Sequence, residues 1–153
     1  MIYVECKPDF TLVRFITNLP RKEIVHEFKG KYEVCKQLGK RRHCKGLVDE
    51  DPLSVPPSYL EKLRLREEIP ERGLKVMHDE SNNNLLIILC PRLEDWILRA
   101  AKERGINPDK YNLPNNPNRL HEVINLSLDR FERLLEDLKG CERLRALKKV
   151  LEG

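Results

Sequence analysis

The sequence predicts an α/β fold, a mostly parallel sheet flanked by helices, with a helical C-terminal extension. Three observations predict it. Between Ile2 and Asp49 short apolar runs alternate with helix-period patterns, the signature of parallel strands joined by crossover helices. Leu85–Cys90 is apolar along its whole length, as a strand buried on both faces is. Beyond Asn118 the leucines recur at helical spacing. At 153 residues the chain has the size of one domain with a small appendage. The strand–helix alternation is followed by two leucine-rich helical stripes, so residues 1–105 are expected to form the α/β domain and 106–153 the extension packed on it.

Ile2–Glu5 is expected to be the first strand, ending at a carboxylate. Cys6-Lys7-Pro8-Asp9 turns into a helix, because proline is tolerated in a first helical turn, and Phe10, Leu12, Val13, Ile16 and Leu19 give that helix an apolar stripe. Glu23–Phe28 is the second strand. After Gly30, Lys31–Arg42 forms a helix with Val34, Cys35 and Leu38 inward, and His43–Asp49 is the third strand, again ending at a carboxylate. Pro52, Pro56 and Pro57 make Glu50–Ser58 a loop. Tyr59–Glu68 is expected as a short helix. Leu74–Asp79 and Leu85–Cys90 are strands joined by a turn at Ser81–Asn84, and Arg92–Arg104 is a helix closed by Gly105. Ile106–Asn118, rich in Asn and Pro, reads as an irregular connector. Two amphipathic helices follow: Leu128, Phe131, Leu134, Leu135 and Leu138 with Ser127 as N-cap, then Leu144, Leu147, Val150 and Leu151 after Gly140.

Forty per cent hydrophobic and 35% charged residues argue against a disordered chain. The apolar run Leu85–Cys90 is far short of the roughly 20 residues that span a bilayer, so no membrane partner is expected. Met1 leads directly into Ile2-Tyr3-Val4-Glu5 with no basic and apolar leader, and five cysteines at irregular spacing suggest no disulfide framework. A cytoplasmic, reduced protein is expected. The net charge is only +4, but Lys29, Lys31, Lys36, Lys40, Arg41, Arg42 and Lys45 are opposed only by Glu33 within Lys29–Lys45. Such a local basic stretch attracts phosphates, or else is simply a solvated helix face.

The residues with the clearest chemistry are acidic. Glu5 ends the first strand, Asp9 follows it, and Asp49-Glu50-Asp51 closes the third. The carboxyl edge of an open parallel sheet is where ligands collect, so Glu5, Asp49 and Asp51 are aimed at one rim. Clustered carboxylates repel one another, and a divalent cation removes that penalty. An all-oxygen donor set favours Mg²⁺ or Mn²⁺ over zinc. Other candidates are weaker. His26-Glu27 is half of a zinc-peptidase motif on a strand, and Cys35, His43 and Cys44 lack zinc-site spacing. Ser54 and Ser58 lack a glycine elbow. Gly30-Lys31 is not a P-loop, although Lys31 at a helix start is suited to meet phosphate, and Trp96 reads as a packed side chain.

Val4-Glu5-Cys6-Lys7-Pro8-Asp9 resembles the first motif of Toprim domains, a strand-end glutamate before a turn into a helix, and Gly46-Leu47-Val48-Asp49-Glu50-Asp51 resembles their later Asp-x-Asp motif. An acidic residue four positions after the glutamate, here Asp9, resembles the nuclease-type branch. Pro91-Arg92-Leu93-Glu94-Asp95-Trp96 is similar to a Pro-x-hydrophobic-Glu-x-Trp segment of small stand-alone Toprim-like proteins. Cys6 stands where the family commonly has glycine, and the chain after Asp51 lacks the Asp-Arg-Ala-Gly continuation of topoisomerases and primases, which sets those activities aside. The resemblance implies a Mg²⁺-dependent (or Mn²⁺-dependent) nuclease. Glu5 would serve acid–base chemistry or metal binding, Asp49 and Asp51 would be metal ligands, and Asp9 a further one. Lys31, Lys40, Arg41 and Arg42 of the basic stretch would contact the nucleic-acid backbone. Two alternatives stay open: a non-catalytic Toprim-like module binding nucleic acid or a protein partner, and a glycosyltransferase whose Asp-x-Asp holds a Mn²⁺–nucleotide sugar.

Overall fold

A computed structural model describes residues 1–26 and 30–153. Among these, six strands form one sheet: β1 (Ile2–Val4), β2 (Ile24–Val25), β3 (Lys45–Asp49), β4 (Arg64–Ile69), β5 (Leu74–Asp79) and β6 (Asn84–Leu89). Their order across the sheet is β2-β1-β3-β6-β5-β4. The pairs β1–β2, β1–β3 and β3–β6 are parallel, while β5 runs antiparallel to both β6 and β4. The α/β class with a mostly parallel sheet is therefore present, and β1 and β3 lie side by side as their strand-end carboxylates require. Glu27 and Phe28, at the expected end of β2, and Lys29, at the start of the basic stretch, lie outside the described residues.

Helix α1 (Lys7–Ile16) connects β1 to β2, and α2 (Lys31–Lys40) stands between β2 and β3. They cover opposite faces. Leu12, Val13 and Ile16 of α1 join the core that contains Ile2, Val4, Leu47 and Ile87. Val34, Cys35 and Leu38 of α2 pack on Tyr3, Val48, Leu86 and Ile88 on the other side. The alternating side chains of each strand thus serve two cores, which is why the apolar run of β6 is unbroken. At Gly46 a Cβ would meet Leu38 Cδ1 at 2.9 Å and Val34 Cγ1 at 3.0 Å, so the absence of a side chain lets α2 approach the sheet.

Helices α3 (Leu93–Arg104), α4 (Pro117–Leu126), α5 (Leu128–Leu138) and α6 (Glu142–Glu152) all lie on the α1 side. Leu120, Ile124, Phe131, Leu134, Leu135, Leu144 and Leu147 share one continuous core with Trp96 and Ile97 of α3 and with Leu12 of α1. The Trp96 indole donates to Arg72 O at 2.7 Å, tying α3 to the turn before β5. Gly105 takes the left-handed conformation that closes α3, as its position implied.

Three readings of the sequence need correction. The expected helix over Tyr59–Glu68 is a short 3-10 turn, Ser58–Lys62, followed by β4. Arg64–Glu68 of β4 are exposed, so this edge strand lacks the apolar alternation that identifies a strand. The connector expected over Ile106–Asn118 contains a 3-10 turn, Pro108–Tyr111, and the first residues of α4. Both begin with an Asn-Pro pair whose asparagine accepts a backbone N–H, Asn107 from Asp109 and Asn116 from Arg119. Ser127 does precede α5, but its side chain makes no cap hydrogen bond.

Candidate functional site

The chain runs from β1 outward to β2 and then returns to β3 on the other side of β1. The carboxyl ends of β1 and β3 are therefore the point where the winding reverses, and a crevice opens there in α/β sheets. Glu5 directly follows β1 and Asp49 is the last residue of β3. Glu5 Oε1 accepts the Asp49 backbone N–H at 2.7 Å. Asp49 Oδ1 accepts Leu93 N–H at the start of α3, at 3.0 Å. The positive end of that helix stabilises negative charge on Asp49.

The acidic run that closes β3 splits in two directions. Asp49 and Asp51 line a 480 Å³ cleft with Glu5, Lys31, Tyr32 and the loop Ser54–Ser58. Glu50 turns the other way, and its carboxylate pairs with Lys75 Nζ at 2.8 Å. Lys31, in the first turn of α2, donates from Nζ to Glu50 O at 2.8 Å, and its charge acts on Glu5. Asp51 is exposed at the mouth, in the left-handed region at φ 43°, where its N–H donates to Pro91 O.

Asp9 lies beneath this rim and is fully buried. Its Oδ2 accepts the Cys6 thiol at 3.2 Å, and its Oδ1 is a buried atom with no partner. Neither Glu5 nor Asp9 is the N-cap of α1, which is Cys6 and makes no side-chain cap hydrogen bond. Glu94, in the first turn of α3, completes the group. Its Oε1 lies 2.7 Å from His121 Nδ1, a residue of α4.

These carboxylates crowd one another. Burial, and then the charges of Asp9, Glu5 and Glu94, push Asp49 far above the usual carboxylate range. Burial and the neighbouring Glu5 do the same to Asp9. Glu5 is raised by burial, and partly held down by the Asp49 N–H and by Lys31. The site therefore favours protons, or another positive species, among its oxygens. Among the described residues no three His, Cys, Asp or Glu side chains form a ready-made metal-binding group. Each of Glu5, Asp9, Asp49 and Glu94 commits one oxygen to a hydrogen bond. The donor set is all oxygen and its buried Asp9 Oδ1 is unpaired, which is chemistry that fits a hard divalent cation.

The described residues of the basic stretch do not form one surface with this site. Among the described residues of that stretch, only Lys31 lines the cleft. Lys40, Arg41 and Arg42 are exposed at the far end of α2, roughly 15 Å along its axis, where Arg41 lies over the Tyr3 ring at 5.6 Å. Sequence reasoning missed His121, because a lone histidine on an unrecognised helix carries no signal. It named Glu94 only through the Pro-x-hydrophobic-Glu-x-Trp segment.

A larger cleft, of 1360 Å³, lies between α1 and α5 and is lined by Phe10, Arg14, Phe15, Arg21 and Glu132. Among the described residues the buried unpaired polar atom is Asp9 Oδ1, in the carboxylate group and not in this cleft. Two of the cysteines, Cys35 and Cys141, are buried, and all five are free thiols. Among the described residues no helix is long and apolar enough to cross a membrane. No protein-family model matches the chain, and no curated protein or solved structure matches it either.

Proposed function

We propose that the protein is a Toprim-like, Mg²⁺- or Mn²⁺-dependent hydrolase of nucleic-acid phosphodiesters, acting in the cytoplasm. The observation that carries this reading is the crowding of Glu5, Asp9 and Asp49 at the winding reversal, with Asp9 Oδ1 buried and unpaired. Asp9, Asp49 and Asp51 are the residues that would hold the cation. When bound, it supplies Lewis-acid stabilisation of negative charge on the phosphoryl group. Glu5, with its proton affinity raised by burial, is suited to exchange a proton with the reacting oxygens. Lys31 offers a positive charge to a phosphate entering the cleft. Glu94 and His121 form a pair that holds the start of α3 against α4, and so steadies the N–H that Asp49 accepts.

The test is cleavage of labelled DNA and RNA with Mg²⁺, with Mn²⁺ and with chelator. Cutting is expected only with a cation, and Glu5→Gln is expected to lower it by at least about 100-fold while far-UV circular dichroism stays unchanged. A second reading, the non-catalytic nucleic-acid-binding module, is favoured by the hydrogen bonds that already engage one oxygen of each carboxylate. Protein that binds nucleic acid but cuts none with any cation decides for that module.

A further inference from the structure

We infer that the cleft beside the carboxylates seats an unpaired nucleobase against Tyr32, so that the nucleic acid taken here is single-stranded. The inference rests on the nucleic-acid reading of the site and names its substrate class. The lining of the cleft is of more than one chemical kind. Glu5, Asp49, Asp51 and Lys31 are charged, Ser54 and Ser58 are polar, and Tyr32, Val55, Pro56 and Pro57 offer apolar surface. Its 480 Å³ lies within the range of about 300–1,000 Å³ typical of small-ligand sites.

Tyr32 is 66% exposed and Val55 92%, and Leu53 of the same loop as Val55 is 98% exposed. Large apolar side chains held in water cost free energy, and clustered ones mark a surface that something covers. Tyr32 stands in the first turn of α2, next to Lys31. Few torsions separate its ring from a rigid helix, so little entropy is lost when the ring is covered. Pro56 and Pro57 likewise restrict the loop that lines the cleft. A nucleotide joins a phosphate, which Lys31 and the cation of the proposed function would meet, to a flat base with apolar faces, which Tyr32, Val55, Pro56 and Pro57 fit. In a duplex those faces are covered by neighbouring base pairs, so only an unpaired base presents one to Tyr32.

The test is fluorescence anisotropy with a single strand of about 12 nucleotides and with its duplex, each in Mg²⁺ and in chelator. A 2-aminopurine in the strand reports stacking by loss of its emission. Wild-type protein is expected to bind the strand more tightly than the duplex and to quench 2-aminopurine. Tyr32→Ala is expected to bind the strand about 10-fold more weakly and to abolish the quenching, with duplex binding unchanged. Tyr32→Trp is expected to keep both. Equal strand binding by wild type and Tyr32→Ala, or a duplex bound as tightly as the strand, overturns the inference. A Tyr32-dependent strand complex in protein that never cleaves keeps the base site and removes the hydrolase. Glu5-dependent cleavage with no effect of Tyr32→Ala does the reverse.

Discussion

Asp9 sits in the first turn of α1, buried, with one oxygen on the Cys6 thiol and the other unpaired. A residue chosen for stability alone would be neutral there. Asp9→Asn is therefore expected to stabilise the cation-free protein by about 1 kcal/mol, read as a Tm rise of about 2–4 °C, and to remove any gain from added Mg²⁺. The pH dependence has a definite sign. Burial and like charge raise Asp9 and Asp49, so the folded state binds more protons than the unfolded chain from the ordinary carboxylate range near pH 4 upward. Their contribution is complete below that range and is lost as pH rises through the elevated values. Without cation, Tm is expected to be lower at about pH 8 than at about pH 5. Mg²⁺ is expected to recover the loss at the higher pH, since it replaces the departing protons. A cation-free Tm that rises with pH, or an Asp9→Asn variant with the wild-type slope, contradicts this.

Among the elements, α4, α5 and α6 form the wall against which α1 and α3 are held, and α1 and α3 start at the carboxylates. Phe131 lies fully buried at their centre. Phe131→Ala is expected to cost about 3–5 kcal/mol in urea unfolding, in one transition seen alike by Trp96 fluorescence and circular dichroism. Two separate transitions would show that the C-terminal helices unfold independently. The strands and helices that bury two full apolar faces or one clean stripe were legible in the sequence: β1, β3, β5, β6, α1, α2, α3, α5 and α6. β4 was not, because a charged edge strand buries too little to impose a period on its residues. α4 was hidden behind the Asn and Pro of its own N-terminal cap, although Asn116-Pro117 is itself a helix-start signal. In the candidate site, strand-end placement revealed Glu5 and Asp49. The distance of Lys40, Arg41 and Arg42 from it follows from the axis of α2, which a one-dimensional charge run does not express.

Taken whole, the molecule directs the N-termini of α1, α2 and α3 toward one edge of its sheet, and with them a concentration of carboxylates that opposes its own charge. Glu5 and Asp49 meet there through the winding order, Asp9 through the turn into α1, and Glu94 through α3 held by His121 of α4. The C-terminal helices thus contribute to the site as well as to the core. Such a group is explained if a divalent cation completes it. The most direct measurement is a calorimetric titration of Mg²⁺, and of Mn²⁺, into wild-type protein and into Asp49→Asn at near-neutral pH. Wild-type protein is expected to bind one cation with release of protons, seen as a heat that changes with the ionisation enthalpy of the buffer. Asp49→Asn is expected to bind at least about 10-fold more weakly. Equal affinity in the two proteins, or no binding by the wild type, would contradict the account.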